Sequence, residues 1–458
     1  MLRLVGTCLL WLLLGIVAGG ARRLNPPIDK AERLRLREEV REMFYHGYDN
    51  YLRNAFPKDE LLPLACTGKD HPDGGWGALT AVDAMDTLQV MGNHTEFERI
   101  ARWTTAHVSF DLNKTVSVFE TNIRLLGGLL SAHMMAMDPD LPCFKDTARP
   151  YDRGLLRLAH DLGKRLLPAF DTPTGIPYGS VNLRYGVDPG ESNVTAAATA
   201  GTLVVEFWTL SELTGDERFS RAAKAAVRGL WKHRSALNLV GAHVNIQTGQ
   251  WTQKESGIGG LIDSFYEYML KGALLTQDME YLHIFNQAYA AATSSLKLGP
   301  WYVDVNMDNG GIVWPVFSSL QCFWPGMQAL IGDLDAGAET MEAFFRMWNV
   351  HGVVPEGFNL HKEGVSQPGY PLRPELAESA MYLHVASGDP ICKKFTKHFA
   401  KLSNALVANG NCACRRSGNG PANGHVAADA DACGMWLCQH TKCVDERASR
   451  HHGQFLPC

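Results

Sequence analysis

The 458-residue sequence has no polybasic tract, no apolar run of transmembrane length beyond its first residues, and no sustained alternation of polar and apolar positions. Each absence removes a class of protein. With 43 Lys and Arg against 48 Asp and Glu, and a formal net charge of −5, the chain lacks the basic footprint that holds nucleic acid through its phosphates. A bilayer crossing needs roughly 18 or more consecutive apolar residues, and nothing after the N-terminal stretch supplies them. Without period-two alternation there is no major sheet to expect. Cysteine is scarce in the body: of 11 in all, only Cys66, Cys143 and Cys322 lie between Cys8 and Cys392. Three such thiols allow one disulfide with one thiol left over. The last part crowds Cys392, Cys412, Cys414, Cys433, Cys438, Cys443 and Cys458 together with His425, His440, His451 and His452, yet contains no C-x2-C pair, so it does not read as a zinc site.

What is present describes a large folded chain. Hydrophobic residues make up 46% and charged residues 20%, enough for a sizeable core. The opening "MLRLVGTCLLWLLLGIVAGGA" has an early Arg, a short apolar stretch and small residues after it, the pattern of a secretory signal over residues 1–21. Three sequons, at Asn93, Asn113 and Asn193, agree with a glycosylating compartment. Apolar residues at spacings of three and four predict helices over 30–53, 79–91, 96–109, 115–136, 151–167, 195–213, 216–232, 258–275, 278–298, 313–331, 333–349, 371–386 and 389–408. Loops such as "DTPTGIPYG" and "NMDNGG" separate them. The class is all-α with short strands at most, organised as one body over 30–408 and an irregular Cys-rich tail over 409–458.

Several of these helices carry acids within apolar sequence. Asp83 and Asp86, Asp263 and Glu267, and Glu375 and Glu378 stand three or four residues apart, which puts each pair on one helical face. Glu206 stands alone in "GTLVVEFWTL", and Glu120 has Arg124 one turn on. A single acidic pair is usually a solvated face. Recurrence on helix after helix, beside Phe, Tyr and Trp, describes instead an acidic pocket with stacking surfaces, which suits a polyhydroxylated sugar. Cleaving a glycosidic bond needs two carboxyl groups in different protonation states, and the inventory meets that need.

In order and separation, "AVDAMDTLQVMG", "FETNIRLLGGLLSAH", "GTLVVEFWTLSELTGD", "GIGGLIDSFYEYMLKG" and "LRPELAESAMYL" resemble the signature segments of the class I α-1,2-mannosidases, glycoside hydrolase family 47. The lead-in "CTGKDHPDGGWG" is most similar to the ER degradation-enhancing α-mannosidase-like branch. The resemblance implies an (α/α)7 barrel that removes α-1,2-linked mannose with inversion. It implies that Glu120 is the general acid and that Asp263 and Glu375 share the base role. By the same resemblance Asp86, Arg124, Glu206, Glu267, Glu356, Arg373, Pro374 and Glu378 line the pocket. The implied partners are high-mannose N-glycans on misfolded glycoproteins and an ER oxidoreductase, with no nucleic acid and no membrane span once the signal is removed; the implied compartment is the ER lumen, although no K-D-E-L-like signal ends the chain. The segments counted here fall one helix short of a full sevenfold double ring, and the tail lacks the Thr-bearing hairpin through which the family holds Ca2+. The barrel is therefore expected to be incomplete at its last helix and closing hairpin, and no metal ligand is assigned. Two readings stand beside the enzyme: a non-catalytic factor binding glycan or misfolded protein, and an inactive truncated isoform.

Overall fold

A computed structural model describes residues 29–388 apart from residue 64, residues 72–74 and residues 371–372. Helices alternate between an inner and an outer row. The inner row holds Leu79–Asp83 with Met85–Val90, then Val118–Glu120 running through a π-turn at Thr121–Leu126 into Gly127–Met137. It continues with Ala197–Gly201 and Val204–Thr214, Asp263–Thr276, Trp324–Leu330 and Glu375–Ser387. The outer row holds Lys30–Asn54, His94–His107, Gly154–Leu166, Arg218–Lys232, Met279–Ser295 and Leu334–His351. Successive inner helices pack on one another, and outer helices such as Gly154–Leu166 and Leu334–His351 each wedge against two of them. The side chains follow this arrangement. Gly154–Leu166 and Arg218–Lys232 are strongly amphipathic, burying Leu155, Leu162, Phe219 and Leu230 and turning Arg and Lys outward, whereas Gly127–Met137 and Val204–Thr214 are apolar nearly all round.

Most inner-to-outer connections are short and capped. Gly215 at φ 74° ends Val204–Thr214 in the left-handed conformation that costs glycine least, and further along Asp278 accepts from the Glu280 amide at 3.0 Å to start the outer helix Met279–Ser295. The outer-to-inner connections are long and carry the strands. Among the described residues the strand pairings are antiparallel, and three of them staple the lead-in of one inner helix to that of the next: Thr115–Ser117 pairs Ser180–Asn182, Val194–Ala196 pairs His243–Asn245, and Val316–Ser318 pairs Gly357–Asn359. The two rows run in opposite directions, so every inner helix begins on the same strand-bearing rim.

The proposed helices from 30–53 to 371–386 all contain helix, but several boundaries differ. Segments 115–136, 195–213 and 313–331 open on strands, where β-branched residues cluster in "TVSV", "NVTA" and "GIVWPVFS" and Pro315 interrupts. Segment 79–91 breaks at Ala84, and segment 258–275 becomes helical only at Asp263, after Gly257, Gly259 and Gly260. The one disulfide that the three body cysteines would allow does not form among them. Cys143 and Cys322 are free and buried, and Cys66 is in a disulfide whose partner lies outside the described residues. Residues 1–21, segment 389–408 and the tail also lie outside them.

Gly163 shows how closely the rows approach. A Cβ there would stand 2.5 Å from Leu210 Cδ2 and 3.0 Å from the Phe219 ring, both fully buried. Gly163→Val should therefore destabilise the protein by about 1–3 kcal/mol, read as a lowered Tm. An unchanged Tm would mean that the rows are not packed this tightly.

Candidate active site

The acids singled out in the sequence converge because of where they sit in their helices. Asp86, Glu120, Glu206, Asp263, Glu375 and Glu378 all occupy first turns of inner-row helices. Carboxylates are favoured there by the partial positive charge of the unsatisfied N–H groups. Parallel inner helices thus bring their preferred anions to one rim.

The first group surrounds Glu120. Its Oε2 accepts from Arg124 Nε at 2.7 Å, and Ser117 Oγ caps its amide at 3.2 Å. Asp86 accepts from Ser131 Oγ at 3.0 Å on the neighbouring inner helix. Asp83, though open to solvent, feels Asp86, Glu120 and Arg124 together; the protein crowding round it and its two acidic neighbours push its carboxyl upward against the pull of Arg124. The π-turn after Glu120 carries Asn122, whose amide donates to Thr202 O at 3.0 Å and to Glu206 Oε2 at 2.9 Å. Tyr268 donates to the other Glu206 oxygen at 2.7 Å. Glu206 is only 7% exposed, and burial raises its pKa even with both hydrogen bonds in place. It ties three inner helices together, and both its oxygens are already engaged.

The second group surrounds Asp263 and Glu375. Asp263 Oδ1 accepts from the Ser264 amide at 2.8 Å; burial, with Glu267 nearby, raises its pKa to about 6. Glu375 is raised to about 7, first by burial and then by the negative charges of Glu378 and Asp263, against the pull of Arg373. Its Oε2 is buried with no hydrogen-bond partner in the structure. One turn deeper, Lys271 Nζ lies 2.6 Å from Glu267 and 3.4 Å from Glu378. Burial would strip the proton from this ammonium, but the two carboxylates outweigh burial and hold the charge. Glu378 is raised by burial first, with Lys271 opposing. Glu356 lies on the strand side, where Arg373 contacts its Oε1 through Nε at 2.8 Å and Nη2 at 2.7 Å while Ser319 Oγ donates to Oε2 at 2.6 Å. Pro374 is the N-cap that leads the chain into the Glu375 helix.

Sequence reasoning left Asn122, Tyr268, Lys271, Ser131 and Ser319 unassigned. Lys271 had a local signal, four residues after Glu267 on one helical face. The other four meet their partners across helices or strands. Of the sequons, Asn113 and Asn193 are exposed, whereas Asn93 caps a helix by accepting from the Glu96 amide at 3.2 Å. No described helix is long and apolar enough to cross a membrane, and no three described carboxylate, His or Cys side chains converge as a cation site. A groove of about 670 Å3 on the outer helix Leu334–His351 contains none of the candidate carboxyls.

The raised carboxyls have a thermodynamic consequence. Between its ordinary value of 4.5 and about 7, Glu375 holds a proton in the folded state that the unfolded chain has released, so its contribution to stability falls as pH rises through that window. Glu375→Gln removes the titration. The Tm of the variant relative to the natural protein should climb from about pH 5 to about pH 7 and level off above; a difference constant across that range would show that the carboxyl is not buried as described.

A family model described as Glycosyl hydrolase family 47 matches residues 43–415. The chain is similar to Alpha-mannosidase I MNS4 of Arabidopsis thaliana, at 55% identity over 363 residues covering 78% of this chain and 57% of that protein. It is also similar to ER degradation-enhancing alpha-mannosidase-like protein 2 of Homo sapiens, at 47% identity over 359 residues covering 77% and 61%. It spans about six-tenths of the length of these two relatives. Among solved structures, an alpha-1,2-mannosidase from Trichoderma reesei matches with a TM-score of 0.71 and 26% identity over 83% of this chain and 85% of that one, which identifies the double ring as an (α/α)7 barrel.

Proposed function

Because the chain belongs to glycosyl hydrolase family 47, we propose that it removes α-1,2-linked mannose from high-mannose N-glycans with inversion. The observation that carries the reading is the pair Asp263 and Glu375, two half-buried carboxyls raised to about 6 and 7, with the Asp263 charge acting on Glu375 and Arg373 acting on both, joined through Tyr268, Glu206 and Asn122 to the helix bearing the Glu120–Arg124 pair. A carboxylate of raised pKa is a stronger base near neutrality than an ordinary one. The Asp263–Glu375 pair takes a proton from water, the water oxygen bonds to the anomeric carbon, and the bond to the departing oxygen breaks as Glu120 protonates it. Arg124 orients Glu120; Asp86, Arg373 and Glu378 edge the space the sugar enters; Glu206, Glu267 and Glu356 hold the neighbouring groups in place.

The names of the relatives support a role in ER degradation; the proposal extends this to a place in the ER lumen, to misfolded glycoproteins as targets and to an oxidoreductase as a further partner. Asn113 and Asn193 are the sequons most open to glycosylation. Ca2+ is the cation the family uses. The described residues do not by themselves fit a hard-cation site, because Glu267 and Glu378, which share one partner inside the barrel, are already compensated by Lys271, and no step is routed through a metal.

With a high-mannose glycoprotein as substrate, the natural protein should shorten the glycan, and Glu120→Gln should lower the rate by about 100-fold or more while leaving Tm unchanged. Equal rates would remove Glu120 from the acid role. Glycan binding without shortening by the natural protein would favour the non-catalytic reading, and loss of both the inactive one.

A further inference from the structure

The strand pairing Ser318↔Gly357 continues one residue beyond the strands, where the Ser319 amide donates to Glu356 O at 3.1 Å. On the other side, the Glu356 amide donates to Gly369 O at 2.8 Å. The Glu356 backbone is therefore held from both flanks before its side chain is considered. Ser319 is fully buried at the start of the 3-10 turn that leads into the inner helix Trp324–Leu330, and its hydroxyl reaches Glu356 Oε2 at 2.6 Å. The opposite oxygen, Oε1, takes Nε and Nη2 of Arg373, which precedes Pro374 and Glu375 in the chain. A carboxylate with one oxygen on a buried hydroxyl and the other on a guanidinium is a rigid bracket, since rotating it breaks both contacts.

Resting on the hydrolase reading above, we infer that Ser319 is a positioning residue: acting through Glu356, it fixes the Arg373 guanidinium at the mouth of the Glu375 helix, where that charge keeps the water-activating carboxyls ionised. The electrostatics agree. Asp263 faces Arg373 and Glu267, and Glu375 faces Arg373, Glu378 and Asp263 with buried Cys322 and Tyr370 also within range; Arg373 is the cation acting on both carboxyls. Ser319→Ala removes one side of the bracket without touching either acid. Glu356 can then turn, Arg373 gains freedom, and the two carboxyls hold their protons to higher pH.

The test is the pH profile of mannose release for the natural protein, Ser319→Ala and Ser319→Thr. The acid limb for Ser319→Ala should move upward by on the order of half a pH unit. Ser319→Thr, which keeps the hydroxyl, should return it toward the natural position. An unmoved limb in Ser319→Ala, with only Tm lowered, would reduce Ser319 to a packing residue. The pH dependence of Tm gives a readout that needs no turnover: in Ser319→Ala the fall of stability with rising pH should extend to higher pH than in the natural protein. A natural protein that releases no mannose would defeat the hydrolase reading, while the Tm profiles would still decide for or against the bracket.

Discussion

Carboxylates collected at one rim of a barrel must be kept ionisable where water is scarce, and the rest of the site depends on how that is done. An isolated buried carboxylate gives up its charge by taking a proton. Here three cations limit that outcome: Arg124 beside Glu120, Lys271 between Glu267 and Glu378, and Arg373 on Glu356. They do not neutralise the acids evenly. Glu120, Glu267 and Glu356 each have a direct ion pair, whereas Asp263 and Glu375 feel Arg373 only at a distance and are both lifted toward neutrality. The uneven distribution differentiates chemically similar groups: some are held in place by a direct cation contact, others are left with a raised pKa that suits a base near neutrality.

The fold explains why the imbalance is stable. Inner helices that begin on one rim present their first-turn N–H groups to the same space, so each acid gains a local electrostatic benefit. Strands between successive lead-ins hold those helix starts in register. The π-turn at Thr121–Leu126 brings Asn122 to Glu206, and Glu206 in turn meets Tyr268, so three inner helices are joined by one carboxylate with both oxygens engaged. Such a network is costly to leave half-made and rigid when complete, which suits a site that must hold several side chains in place.

Much of this was legible in the sequence, for identifiable reasons. Apolar spacing of three and four marked the helices, because both rows bury one stripe or more. Acids three or four apart in apolar context marked the pairs at Asp263 and Glu375, because both members of each share a face. Period counting could not see where helices yield to strands: at "TVSV" and "GIVWPVFS" the apolar residues satisfy either pattern until the neighbouring chain is known. Nor could it see the bracket on Glu356, since Ser319 and Arg373 lie far from it in sequence and meet it only through strand register and the turn into the last described helix. Cysteine spacing likewise does not reveal which thiols pair: Cys66 is in a disulfide, whereas Cys143 and Cys322, the other two cysteines of the body, are buried as free thiols.

The central claim is that these carboxyls drive direct attack of water on an α-1,2-mannosidic bond. Proton NMR of the first mannose released, recorded before mutarotation equilibrates the anomers, tests that claim most directly. A β-anomer appearing first from the α-linked substrate is the predicted result. An α-anomer appearing first would mean a covalent glycosyl intermediate and a different division of roles among Glu120, Asp263 and Glu375, and would contradict the account.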